Sequence, residues 1–364
     1  MNFTPSRLTL ARKRRGFTIK ELSTLTTISI RSLSAYEGGR QSPNRLNVER
    51  LAESLNFPSG FFSGPDLEEP PRDAASFRAM SRLSAYKQDE ALSAGALAYA
   101  LDDWITERFD RAVASVPQLR AVGPETAAMA VREEWGLGEK PIKNMIHLLE
   151  RNGVRIFSLA EEWTQIDAFS VWRGSIPYIF LNTTKTAERS RFDAAHELGH
   201  LVLHWHHGTP GTRECEKEAN QFASALLMPR GSVLGSVKRG AKIDELIRAK
   251  LQWRVSVKAL AYRMLELGLL TDWEHRSIYQ TLHRRGYATS EPKEIGRESS
   301  YILAKVLDEM RTEGISKKDI ANELAIPSDE IDKLMFGLVL TVLAGGKKHS
   351  QTTSSQRPNL RVVN

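Results

Sequence analysis

The segment His196-Glu197-Leu198-Gly199-His200 sets two imidazoles and a carboxylate close together along one stretch of chain. Positions i and i+4 of an α-helix share a face, with Cβ atoms about 5–6 Å apart. His196 and His200 can therefore grip one Zn2+ at about 2.0–2.1 Å each. Glu197 follows the first histidine by one residue and is turned about 100° round the helix. Its carboxylate reaches a water carried by the cation rather than the cation itself. With that water's pKa lowered to about 7 and its proton accepted by Glu197, the water becomes a nucleophile for a peptide carbonyl. Gly199 keeps the helix slim where another element must approach closely. The competing reading is two surface histidines beside an unrelated glutamate. It fits the neighbours poorly, because Phe192, Ala195, Leu198, Leu201, Val202 and Leu203 are all apolar. A helix that apolar is buried, and unpaired polar groups inside it are costly.

A catalytic zinc needs a third protein ligand and one open position. Glu214 to Pro229 reads as a second helix, acidic at its start and stopped by the proline. Glu216, Ala219, Asn220, Ala223 and Leu227 share one of its faces, small and apolar after the first turn. Glu216 is the expected third ligand, with Glu218 the runner-up. Asn220, one turn on, is placed to orient a ligating histidine. Glu214 and Glu218 read as solvated charges favoured by the helix N-terminus. His204 lies one turn beyond His200, but a third histidine on one straight helix cannot readily complete a tetrahedron, so it reads as a supporting residue. His206 and His207 fall in a loop. Cys215, the single cysteine, reads first as a space-filling residue and second as a redox or ligand group.

These residues resemble the ImmA/IrrE family of zinc metallopeptidases over about Ser76 to Trp273. The resemblance rests on Arg191-Phe192-Asp193-Ala194-Ala195-His196-Glu197-Leu198-Gly199-His200, on Glu216-x-x-Ala219-Asn220-x-Phe222-Ala223, and on Leu227-Met228-Pro229. It implies a gluzincin-like site with His196, His200 and Glu216 as ligands and Glu197 as base. Related zincins carry Asp where this chain has Asn220, a mild departure because an amide still accepts a hydrogen bond. Family members are associated with cleaving a repressor that carries a helix-turn-helix. His, His and carboxylate favour zinc without excluding Mn2+ or Fe2+.

The 364-residue chain is long enough for two or three domains. It holds no run of about 18 apolar residues, and its basic first residues lack the apolar segment of a secretory signal. One cysteine excludes an intramolecular disulfide framework and fits a reducing cytoplasm. The net charge of +7 is uneven: residues 1–64 carry +6 and residues 344–364 carry +4, so everything between is net negative. The positive potential belongs to the ends and not to the peptidase-like middle.

The basic N-terminus has the pattern of a small helical bundle. Helices are expected over about Arg7 to Arg14, Thr18 to Leu25, Ser29 to Glu37 and Val48 to Leu55, with Thr18 and Glu21 forming a capping box and Gly38-Gly39 closing the third. This order resembles the Cro/repressor (XRE) class of helix-turn-helix, through Thr18-Ile19-Lys20-Glu21-Leu22, Ile28-Ser29, Leu33, Tyr36-Glu37-Gly38-Gly39-Arg40 and Pro43. The match implies that the helix from Ser29 to Glu37 reads double-stranded DNA. Ile30, Arg31, Ser32 and Ala35 would face the major groove and Arg40 a phosphate. Ile19 stands where the family often has Gln, which puts one backbone contact in doubt. A protein-interaction module with a solvated basic face is the competing reading, and charge and motif together favour DNA.

Between these regions, Ala75 to Val113 reads as helix-rich, with a core stripe at Leu97, Leu101, Trp104, Ile105 and Phe109. Strands are expected at Val154–Leu159, Ala168–Trp172 and Pro177–Leu181. An edge of that small sheet could pair with an extended substrate. Beyond Pro229 helices return. Tyr262 and Arg263 are weak candidates for stabilising an oxyanion. Ser316–Leu324 with Pro327–Met335 looks like a second helix-turn-helix, but Asp329, Glu330 and Asp332 on its second helix would repel phosphates. Partner binding or dimerisation suits it better than DNA reading.

The expected fold is mainly α with a small β-sheet. It divides into a helix-turn-helix bundle (1–64), a linker (65–75), an α+β zincin-like domain (76–273), a helical C-terminal region (274–343) and a polar, disordered tail (344–364). Two functions compete. One is a cytoplasmic, DNA-targeted zinc endopeptidase that cuts a repressor or partner protein, with homodimerisation common for such repressor-like modules. The other is a transcriptional regulator whose zincin-like part senses a ligand or metal without cutting.

Overall fold

The computed structural model describes residues 2–72, 84–159, 167–204, 212–287 and 290–339, and the backbone of 361–362. His206 and His207, and most of the expected tail, lie outside the described residues.

The N-terminal bundle comprises α1 (Pro5–Arg14), α2 (Ile19–Thr26), α3 (Ile30–Glu37), α4 (Arg45–Leu55) and a 3-10 turn (Ser59–Ser63). Thr18 and Glu21 form the reciprocal cap that starts α2: Thr18 Oγ1 accepts from the Glu21 amide at 3.1 Å, and Glu21 accepts from the Thr18 amide at 2.7 Å. The turn into α3 passes through Thr27, held in the left-handed region at φ 58°. Ile28 then plunges into the core, and Ser29 caps α3 by accepting from the Ser32 amide at 3.1 Å. Leu8, Leu22, Leu33, Leu51, Leu55, Phe61 and Phe62 are fully buried together and close the unit.

The middle of the chain is a three-layer arrangement. A three-stranded sheet of β2 (Arg155–Leu159), β3 (Ala168–Arg173) and β4 (Ile176–Asn182) has the order β2-β4-β3, with β2 parallel and β3 antiparallel to β4. The register pairs Phe169 with Phe180 and Val171 with Tyr178. Side chains alternate along a strand, so these aromatics share the face covered by α5 (Ala85–Thr106), where Tyr99 meets Tyr178 at 4.6 Å. Ser170 and Trp172 point to the opposite face, onto α8 (Ala187–Leu203), which packs against α9 (Arg213–Leu227). Preceding the sheet are a two-residue strand β1 (Phe109–Asp110) and helices α6 (Pro124–Glu134) and α7 (Met145–Arg151).

Seven helices complete the described chain: α10 (Arg230–Ser236), α11 (Ile243–Trp253), α12 (Val257–Glu266), α13 (Asp272–Arg284), α14 (Tyr301–Thr312), α15 (Lys317–Leu324) and α16 (Ser328–Met335). A two-residue strand β5 (Arg361–Val362) pairs with β1. This region is tied to the rest by buried ion pairs. Arg191 of α8 bonds to Glu298, which also accepts from the Met145 amide at 2.8 Å. Glu188, in the first turn of α8, meets Lys250 at 2.8 Å with both side chains sealed from solvent. Glu330 is fully buried and accepts from Arg14 and Arg15 of the N-terminal bundle at 2.7 Å each. That carboxylate, expected from sequence to repel phosphate, is used inside the molecule. No helix among the described residues is long and apolar enough to cross a membrane.

Candidate metal centre

The two histidines and Glu216 are brought to one point by the packing of α8 on α9. Gly199 is what allows the approach. A Cβ there would stand 3.0 Å from Phe222 Cδ1 and 3.2 Å from Ala219 Cα, so α9 lies against bare backbone. Across this contact His196 Nε2 and His200 Nε2 are 3.0 Å apart, and Glu216 presents its two oxygens 3.4 Å and 3.5 Å from them. Two ligands about 2.0–2.1 Å from a tetrahedral ion are themselves about 3.3 Å apart. The three observed separations bracket that value, so the donor set fits a single cation of zinc's size. Glu197 is not one of the converging donors.

The surrounding groups settle which nitrogen points where. His196 Nδ1 lies 3.0 Å from Asn220 Oδ1, and an amide oxygen can only accept. The proton therefore sits on Nδ1 and leaves Nε2 facing the cluster. His200 Nδ1 is 3.0 Å from His204 Nδ1, and His204 Nε2 is 2.9 Å from Glu218 Oε2. The expectation that Glu218 is merely a solvated charge is thus corrected: it ends a chain running from His200 through His204. Burial pushes His200 down to about 4, so its imidazole is neutral at physiological pH with a lone pair to offer. At His196 burial works the same way but is outweighed by the hydrogen bond to Glu216 and the nearby carboxylates of Glu197, Glu216 and Asp193, and its pKa rises. The same negative field favours a cation. Burial opposes the charge on Glu216 too, yet the hydrogen bonds to both imidazoles hold it well below the usual carboxylate range.

Glu197 is buried and accepts a 2.6 Å hydrogen bond from Ser170 Oγ on β3, an edge strand of the sheet. Sequence reasoning missed Ser170. Its signal was a polar residue inside the apolar strand Ala168-Phe169-Ser170-Val171-Trp172, on the face turned toward the metal helix. Glu188 and Lys250 were missed for a different reason, since a first-turn glutamate and a helical lysine look like surface charges. Of the two oxyanion candidates, Arg263 is buried and committed to Glu125 at 2.7 Å and 2.5 Å and to the Met228 carbonyl at 3.0 Å. Tyr262 lines a cleft of about 890 Å3 that also contains Phe192, Asp193, Asn220, Tyr279 and Tyr287.

In the N-terminal bundle, Ser29, Ile30, Arg31 and Arg40 are exposed and Ser32 and Ala35 half-buried. The outward face of α3 is open, while Leu33 and Tyr36 pin its inner face. Glu37, part of the sequence match, is structural: it takes a bidentate pair from Arg12 at 2.6 Å and 2.9 Å.

A helix carrying two histidines, a second helix returning a carboxylate and a small sheet behind them define a zincin-like domain, here preceded by a helix-turn-helix bundle. Comparison with known families agrees on both parts. Residues 149–265 match the family model for the IrrE N-terminal-like domain, peptidase family M78, and residues 6–60 match that for a helix-turn-helix domain. The two matches fall in the order the fold shows, a helix-turn-helix stretch followed by an IrrE N-terminal-like stretch. No curated protein matches the chain.

Proposed function

We propose that this chain is a DNA-binding, zinc-dependent endopeptidase that cleaves a repressor or partner protein and so controls transcription. The observation that carries this reading is the convergence of His196 Nε2, His200 Nε2 and a Glu216 carboxylate, with Glu197 next in sequence yet outside the ligand set. A cation held there supplies Lewis acidity, lowering the pKa of water toward about 7 and polarising a peptide carbonyl. Glu197 takes the proton from the attacking water. The Ser170 hydroxyl holds that carboxylate in place. An extended substrate backbone would pair along the outer edge of β3, which brings its carbonyls past Glu197. The adjoining cleft, walled by Phe192, Tyr262, Tyr279 and Tyr287, has room for substrate side chains. The open face of α3 would deliver the enzyme to DNA, where a bound repressor is within reach.

The test compares wild type with Glu197→Gln, each loaded with one equivalent of zinc, on a repressor encoded beside this chain. Cleavage should fall by about 10²–10⁴-fold in the variant while zinc is retained. Should neither protein cut while both shift the same promoter DNA, the chain is a regulator without protease activity. An intact general base beside the ligands argues against that second reading, because storing a metal needs no such carboxylate.

A further inference from the structure

Next to the first cluster lies another. His204, at the end of α8, and Cys215 and Glu218, on α9, offer an imidazole nitrogen, a thiol sulfur and a carboxylate oxygen within 4.8 Å of one another. Residues 215 and 218 are three apart on a helix and share a face, while Glu216 is turned toward the first site. All three side chains are partly open to solvent, so an ion has a way in. The set is mixed: sulfur and nitrogen suit a borderline-soft ion, and a carboxylate adds the charge that neutralises it. Bound to one tetrahedral ion, such donors stand about 3.3–3.6 Å apart.

We propose that His204, Cys215 and Glu218 form a second, weaker site for a zinc-like divalent cation, and that filling it works against the first site. The antagonism follows from proton positions and rests on the reading of His196, His200 and Glu216 as ligands. With its Nε2 on a cation, His200 carries its proton on Nδ1 and donates to His204 Nδ1, 3.0 Å away. His204 then donates from Nε2 to Glu218. A cation at the second site takes the His204 Nε2 lone pair, so the imidazole proton must move to Nδ1. Two N–H groups would then face each other, and the hydrogen bond supporting His200 is lost. On binding, Cys215 enters as thiolate and its proton passes to solvent. Supporting hydrogen bonds of this kind are worth about 10–100-fold in metal affinity.

Cobalt titration of the metal-free full-length protein reads both parts, because a thiolate ligand gives Co2+ a near-ultraviolet charge-transfer band that imidazole and carboxylate do not. Wild type should take two equivalents, with the band growing only during the second. Cys215→Ser should take one equivalent and show no band. In His196→Ala the first site is dismantled, so the band should appear with the first equivalent and saturate at about tenfold lower free cobalt. A wild type that shows no band overturns the second site, as does a Cys215→Ser variant that still binds two ions. An unchanged band midpoint in His196→Ala overturns the antagonism. Failure of the first site alone is distinguishable: wild type would then show the band from the first equivalent.

Discussion

At the scale of single residues, the candidate metal centre depends on fixing which nitrogen of each histidine faces the point where Glu216 converges. Asn220 does this for His196 and His204 does it for His200. The amide at 220 is sufficient because its oxygen accepts as a carboxylate would, at a smaller charge. Asn220→Ala should therefore weaken zinc binding by about 10–100-fold in chelator competition, with the fold and thermal midpoint of the metal-free protein little changed. An unaltered affinity would mean that the hydrogen bond does not support the ligand. The sequence carried His196, Glu197 and His200 openly, because helical spacing alone sets them within one turn, whereas Glu216 stood out only as an acidic residue at the start of a second helix. It did not carry Ser170, which reaches Glu197 from a strand 27 residues upstream.

At the scale of elements, the contact between α8 and α9 governs the site. Its closeness comes from Gly199 against Ala219 and Phe222, where a side chain would intrude on backbone. Gly199→Val should destabilise the protein by about 1–3 kcal/mol through overpacking, and should also lower zinc affinity by moving Glu216 away from the imidazoles. Thermal melting and chelator competition check the two effects, and a stable variant with native affinity would refute the packing argument. In the N-terminal bundle α3 is locked from beneath and bare above. Replacing Arg31 and Arg40 together by Ala should weaken DNA binding, and the slope of log K against log salt should fall by about 1–2. An unchanged slope would place the DNA contacts elsewhere. Helix limits were legible where a cap marked them, as at Thr18. For the sheet, β-rich runs located the strands, but strand order and the edge position of β3 came only with the folded chain.

At the scale of the whole molecule, the N-terminal bundle is docked and not simply tethered. Arg14 and Arg15 reach Glu330, a carboxylate buried more than 300 residues away in sequence. This leaves α3 facing outward while α1 rests against α5 and α16. Removing the shared acceptor strands buried positive charge, so Glu330→Ala should cost about 3 kcal/mol or more in denaturant unfolding. A loss below about 1 kcal/mol would show that docking rests on apolar contacts instead. The same logic holds for Glu188 with Lys250 and Arg191 with Glu298, which fasten the metal helix to the C-terminal region. The cleft beside the site is itself composite, with Tyr279 and Tyr287 supplied from beyond the helix that carries Tyr262.

The chain's chemistry was determined by local sequence: helical periodicity places a histidine one turn from another whatever surrounds it, and a capping box starts a helix from four residues. Partnership was decided only by the tertiary structure. An isolated glutamate looks alike whether it ends in water, between two imidazoles as Glu216 does, against a single histidine as Glu218 does, or sealed against arginines as Glu330 does. Which of these occurs depends on the element that packs across from it, and the energies that choose among them act between residues far apart in the chain.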